Sequence, residues 1–146
     1  MKNIIISAFL LFSGYICAQS QDIPQSNVPP VVVSTFTQKF PNAKDVEWEL
    51  ENNTYHVEFK IGSVDHDAWI ESNGQLSSYK QDIRPADLPA TVQAAVKKDF
   101  SGFKVSDAVK KDMNGDITYK LELKKGGKEW EAVYADDGRL ISKRED

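Results

Sequence analysis

The sequence predicts an α+β protein of two tandem repeats, each an α-helix followed by a four-stranded antiparallel meander, with the helices packed on one sheet face. Three observations carry that prediction. The chain matches itself without a gap when shifted by 64 positions, each matching segment follows an apolar stripe of helical period, and the period then changes from near four to two.

The chain opens on Lys2 and an almost wholly apolar run from Ile4 to Ile16, after which polarity resumes at Gln19. This profile predicts a signal peptide over residues 1–18, cleaved near Ala18, with residues 19–26 as a flexible lead. The apolar run is shorter than the roughly 20 residues a membrane span requires. Lipid anchoring at Cys17 is disfavoured because Tyr15 and Ile16, neither of them small, precede it. The predicted product is soluble and periplasmic or secreted. It keeps 146 − 18 = 128 residues and no cysteine, so packing alone must build its core. Loss of Lys2 takes the net charge from −4 to −5. An acidic chain without a basic stripe is a poor ligand for phosphate backbones, which excludes nucleic acid as a partner.

The first repeat is read over residues 27–82. Val28, Val32, Phe36 and Phe40 form one stripe of an amphipathic helix, with Asn27 placed to cap it and Pro29 in its first turn. In the next segment Val46, Trp48 and Leu50 alternate with Asp45, Glu47, Glu49 and Glu51, giving a strand with one wet face. Asn52-Asn53 suits a type I′ turn and Gly62-Ser63 a type II′ turn. These turns pair Trp48 with Val57, Tyr55 with Ile70, and Phe59 with His66. A three-residue Ser72-Asn73-Gly74 loop is favoured over a two-residue one because it pairs Leu76 with Ile70 rather than leaving Leu76 on the wet face.

Residues 83–86 form the connection, and residues 87–146 the second repeat. There Leu88, Val92, Val96 and Phe100 repeat the stripe, with Asp87 placed to cap it. Of 28 aligned positions in the meanders nine are identical, among them Tyr55/Tyr119, Gly62/Gly126, Ala68/Ala132 and Gly74/Gly138. Average residue usage would give about two. The strand KVSDAVKKDM resists this treatment, because no single register hides both Val105 and Val109 without turning Asp107 inward. Units of about 60 residues without disulfides are marginal alone, so the two are expected to pack closely or share a sheet.

The pattern VPPVVVSTFTQKFPNAKDVEWELENNTYHVEFKI, a helix ending in Phe-Pro followed by a strand bearing Val-x-Trp, resembles the PepSY-like proteins of Bacteroidota. These are grouped with the β-lactamase-inhibitor-protein-like (BLIP-like) fold. DLPATVQAAVKKDFSGFK through YADDGRL is similar, with Ser101 replacing the proline. The resemblance implies a periplasmic or secreted α+β protein of two tandem repeats; it does not imply that a β-lactamase is the partner.

For chemistry the sequence offers little. The predicted register sends His56 and His66 to opposite sheet faces, so they cannot share a metal, and no metal site is assigned. Ser77 or Ser78 beside His56 lacks the strained turn of an activated nucleophile, so no catalytic residue is assigned and the chain is read as a non-enzyme. Asp112-Met113-Asn114-Gly115-Asp116 lacks most ligands of a calcium loop and is read as a hairpin turn. No cofactor is expected.

One surface stands out. His56, Trp69 and Tyr79 are predicted to gather on the wet face among Glu49, Glu58 and Asp67, where the second repeat places Lys120, Val133 and Lys143. Aromatic residues of this kind are enriched at binding hot spots, and the acids favour a partner with a basic surface. The sequence therefore predicts an exported, non-catalytic module that binds or inhibits an unidentified protein through this face. The alternative is a periplasmic small-ligand or cation-binding protein.

Overall fold

The structure, a computed structural model, describes residues 21–146. The expected signal peptide, its cleavage site and Cys17 lie outside the described residues. In chain order the elements are β1 (Gln21–Ile23), α1 (Pro30–Lys39), β2 (Lys44–Glu51), β3 (Thr54–Ile61), β4 (Val64–Glu71) and β5 (Leu76–Asp82). They continue with α2 (Ala90–Asp99), β6 (Lys104–Met113), β7 (Asp116–Lys125), β8 (Lys128–Ala135) and β9 (Leu140–Glu145).

All the strands among the described residues belong to one nine-stranded sheet whose spatial order is the sequence order, β1 to β9, with every pairing antiparallel. This corrects the predicted fold class. The molecule is not two repeats each of a helix and a four-strand meander but one sheet carrying two short helices of 10 residues each. Two pairings account for the difference. Ser78 to Asp82 of β5 pair with Met113 to Val109 of β6, and the Ile83 amide donates to Ala108 O at 2.9 Å. Hydrogen-bonding groups that would line two open edges thus satisfy each other. At the other end Gln21, Asp22 and Ile23, expected to lie in a flexible lead, pair with Leu50, Glu49 and Trp48.

Both helices begin after a proline. Pro29 and Pro89 are extended, have no amide hydrogen to satisfy and stand where a capping side chain was expected. Asn27 and Asp87 lie instead in 3-10 turns, at Gln25–Asn27 and Pro85–Asp87, and neither helix has a side-chain cap bond. The helix stripes cover one sheet face in two clusters. Val32 and Phe36 pack on Trp48, Val57, Phe59 and Ile70; Val92 and Val96 pack on Leu121, Leu123 and Tyr134. Phe36 meets Trp48 and Phe59 edge-on at 5.2 and 5.1 Å between ring centres, an arrangement favoured by the ring quadrupoles.

Each helix is also tied to a hairpin turn: Thr35 Oγ1 donates to Gly74 O and Thr91 Oγ1 to Asp136 O, both at 2.8 Å. The close approach requires glycine. A Cβ on Gly138 would lie 2.7 Å from Thr91 O, and the residue sits at φ 85.

Four register slips interrupt the pairing of the described strands, and those in β6 and in β4–β5 redirect side chains that the sequence pattern had placed elsewhere. In β6 the register slips between Val105 and Asp107, so Val105 and Ala108 oppose Leu123 and Leu121 on the core face while Asp107 and Val109 oppose Glu122 and Lys120. This resolves the strand that no regular register could fit. In β4–β5 the slip falls between Trp69 and Ile70.

Candidate functional site

The helices occupy one face of the sheet, and no described element covers the other over β2 to β6. Alternation along β2, β3 and β4 delivers Glu49, His56, Asp67 and Trp69 to that face, in the register Glu49 with His56 and His56 with Trp69. His56 is 6% exposed despite lying on the open side, because its ring stacks on the Trp69 indole at 4.4 Å and 10°.

Both imidazole nitrogens of His56 meet carboxylates. Nε2 lies 2.9 Å from Asp67 Oδ1, and Nδ1 lies 3.2 Å from Glu49 Oε2 and 3.9 Å from Glu51 Oε1. Burial disfavours the imidazolium, but the hydrogen bonds with Asp67 and Glu49 outweigh it and raise the pKa above the ordinary histidine value. Asp67 is held below the usual carboxylate range: its own burial opposes this, and His56 and Lys80, whose Nζ is 3.0 Å away, prevail. An alternating chain of charge, Glu49–His56–Asp67–Lys80, therefore crosses four strands.

Trp69 is the centre of the exposed part. Its Nε1 donates to Glu51 Oε2 at 3.3 Å, and the Lys80 and Lys111 ammonium groups lie 5.8 and 5.9 Å from its ring centre. Beside it a groove of about 380 Å³, lined by Glu51, Thr54, Lys111 and Met113 among others, crosses the β5–β6 boundary. Glu58 is exposed on the same face between Glu47 and Asp67.

Tyr79 does not join this group. The bulge at Trp69/Ile70 pairs it with Ala68, which turns it to the helix side, where it stacks on Phe40 at 5.2 Å and its hydroxyl lies 2.7 Å from His66 Nδ1. Ser78 and Lys80 take the positions opposite Trp69 and Asp67. His66, buried between Phe59 and Tyr79 with no partner at Nε2, has its pKa lowered, chiefly by burial.

The sequence reading of the site omits Glu51, Lys80 and Lys111. Lys80 stands one residue from Tyr79, so the bulge exchanges them; Lys111 reaches Trp69 only through the β5–β6 pairing. The hydroxyls considered as nucleophiles are engaged elsewhere, Ser77 Oγ with Trp69 O at 3.2 Å and Ser78 Oγ with Asp112 O at 3.4 Å. In the Asp112–Asp116 segment Asn114 and Gly115 take positive φ, and Asp112 Oδ1 accepts from the Gly115 amide at 2.8 Å, a tight hairpin turn.

A family model described as "Putative beta-lactamase-inhibitor-like, PepSY-like" matches residues 15–78 and 53–142. A search of curated proteins gives no match. Among solved structures, a DUF2874 family protein from Bacteroides uniformis superposes with TM-score 0.69 at 18% identity, covering 80% of this chain and 88% of that one. A Bacteroides eggerthii structure described as "putative periplasmic proteins" gives 0.70 at 15% identity, covering 81% and 88%. A BLIP-like protein from Bacteroides fragilis gives 0.66 at 16% identity, covering 83% and 89%. At these identities the likeness concerns the fold alone. No helix of the described residues is long and apolar enough to cross a membrane.

Proposed function

This chain belongs to the β-lactamase-inhibitor-like, PepSY-like family, and from that premise we propose that it is an exported, non-catalytic module that binds a protein partner on the open face of its sheet. The observation that carries this reading is the Trp69 platform. A large aromatic ring, rigidly stacked on His56 and flanked by Lys111 and an adjoining groove, stands on a face the helices leave uncovered. A preorganised aromatic anchor ringed by charge suits recognition of a folded protein surface. Glu47, Glu58 and Asp65 on the same side favour a partner presenting lysine or arginine there. The inhibitor-like description of the family and the periplasmic description of a fold neighbour support action outside the cytoplasm.

The test is affinity capture from the envelope fraction, comparing wild type, Trp69→Ala and Glu58→Lys. A protein retained by wild type, released at higher salt and lost with both variants supports the reading. Equal capture by all three forms would refute it.

A further inference from the structure

We propose that Glu49, Glu51 and His56 form a binding site for a divalent first-row transition-metal cation, with zinc the ion best suited to the donor set. Sequence reasoning assigned no metal because the two histidines diverge. The structure instead supplies His56 with carboxylates from the neighbouring strand: one ligand atom from each of Glu49, Glu51 and His56 lies within 4.8 Å of the others.

The spacing fits the ion. Bonds of about 2.0 Å in a tetrahedral zinc site put neighbouring ligand atoms about 3.3 Å apart. His56 Nδ1 and Glu49 Oε2 already stand at 3.2 Å, and Glu51 Oε1 at 3.9 Å from Nδ1 needs only a small rotamer adjustment at the sheet surface. One imidazole and two carboxylates leave room for water or a partner's side chain at the fourth position.

Supporting contacts distinguish this group from a chance gathering of acids. Asp67 holds His56 through Nε2, so that Nδ1, once it gives up its proton to make way for the ion, turns its lone pair toward the two glutamates. Metal-binding histidines are commonly oriented by a carboxylate in this way. Asp67 is in turn held by Lys80. Trp69 Nε1 fixes Glu51 through Oε2 and leaves Oε1 directed at the ring. With neutral His56 protonated at Nε2, Nδ1 and Glu49 would oppose two acceptors at hydrogen-bond distance, an arrangement that requires a proton or a cation between them. A bound cation would displace that proton and sit beside the Nδ1–Oε2 line, so that both bonds reach about 2.0 Å.

The experiment is zinc titration of the untagged chain at neutral pH, followed by calorimetry and by NMR of the ring nitrogens, which are readily assigned with only 2 histidines in the sequence. One equivalent is expected, shifting the His56 Nδ1 signal and leaving His66 unmoved. Glu49→Gln with Glu51→Gln, nearly isosteric, should weaken binding more than tenfold. Asp67→Asn, which retains all three ligands, should weaken it by about tenfold or more. Absence of saturable binding, an unchanged affinity in the double variant, or a response at His66 would each overturn the proposal; unaltered melting of the variants excludes misfolding as the cause. Failure here leaves the partner surface standing, since Glu58→Lys alters none of the three ligands.

Discussion

His56 faces Glu49 and Glu51 from β2, Glu58 along its own strand, Asp67 and Trp69 from β4 and, through Asp67, Lys80 from β5. Its folded-state pKa is raised, so the stability it contributes is present in full below the unfolded value of about 6.5 and is lost as pH rises through the folded value. His66 has the opposite sign: its pKa is lowered, and its contribution holds above about 6.5 and is lost as pH falls through the folded value. Denaturant unfolding across pH 5 to 9 should show wild type losing stability relative to His56→Gln on the alkaline side and relative to His66→Gln on the acid side. Coincident pH profiles would contradict both assignments. Period-two alternation was enough to place His56 opposite Trp69. It could not place Tyr79, because the bulge that turns Tyr79 inward arises from hydrogen bonding between strands and leaves no mark in the apolar pattern of β5.

Among elements, turn chemistry was the most readable signal. Asn52 and Asn53 both adopt positive φ, 48 and 68, as a type I′ turn demands, and the three-residue loop ending at Gly74 pairs Ile70 with Leu76. Capping arguments misplaced the helix starts, since they favour Asn27 and Asp87 whereas the chain enters each helix through Pro29 or Pro89. The packed stripes make a direct prediction. Phe36→Ala should cost about 3 to 5 kcal/mol in urea unfolding and Val96→Ala less, the phenylalanine losing ring contacts as well as volume. Gly138→Ala should cost at least about 1 to 2 kcal/mol, because alanine must hold a left-handed conformation while its Cβ meets the backbone of α2. Thr91→Val, which removes only the hydroxyl bond to Asp136 O, should cost about 1 kcal/mol. A Gly138→Ala protein as stable as wild type would mean that α2 and the turn do not meet.

At the scale of the molecule, the union of β5 with β6 was the least legible feature. The open side of β6 mixes Asp107 and Lys111 with Val109 and Met113 and so carries no clear pattern, the strongest local signals all lie within hairpins, and nothing in LSSYKQD designates KVSDAVKKDM as its neighbour. Shared backbone bonds across that boundary predict one cooperative unfolding event, seen alike by far-ultraviolet circular dichroism and by fluorescence of Trp48 and Trp130, which lie in different core clusters. Separate transitions at the two tryptophans would show that the boundary does not couple the clusters.

A sheet whose spatial order repeats the order of the chain also has a kinetic meaning. Of its eight strand pairings only β1–β2 and β5–β6 span a helix, and the other six close through short turns. Contact order is therefore low for a protein so rich in β-structure, and the loop-closure entropy that slows most sheets is met in small steps. A chain of this kind can add strands in succession at a growing edge as it leaves a ribosome, with no early strand left waiting for a distant partner.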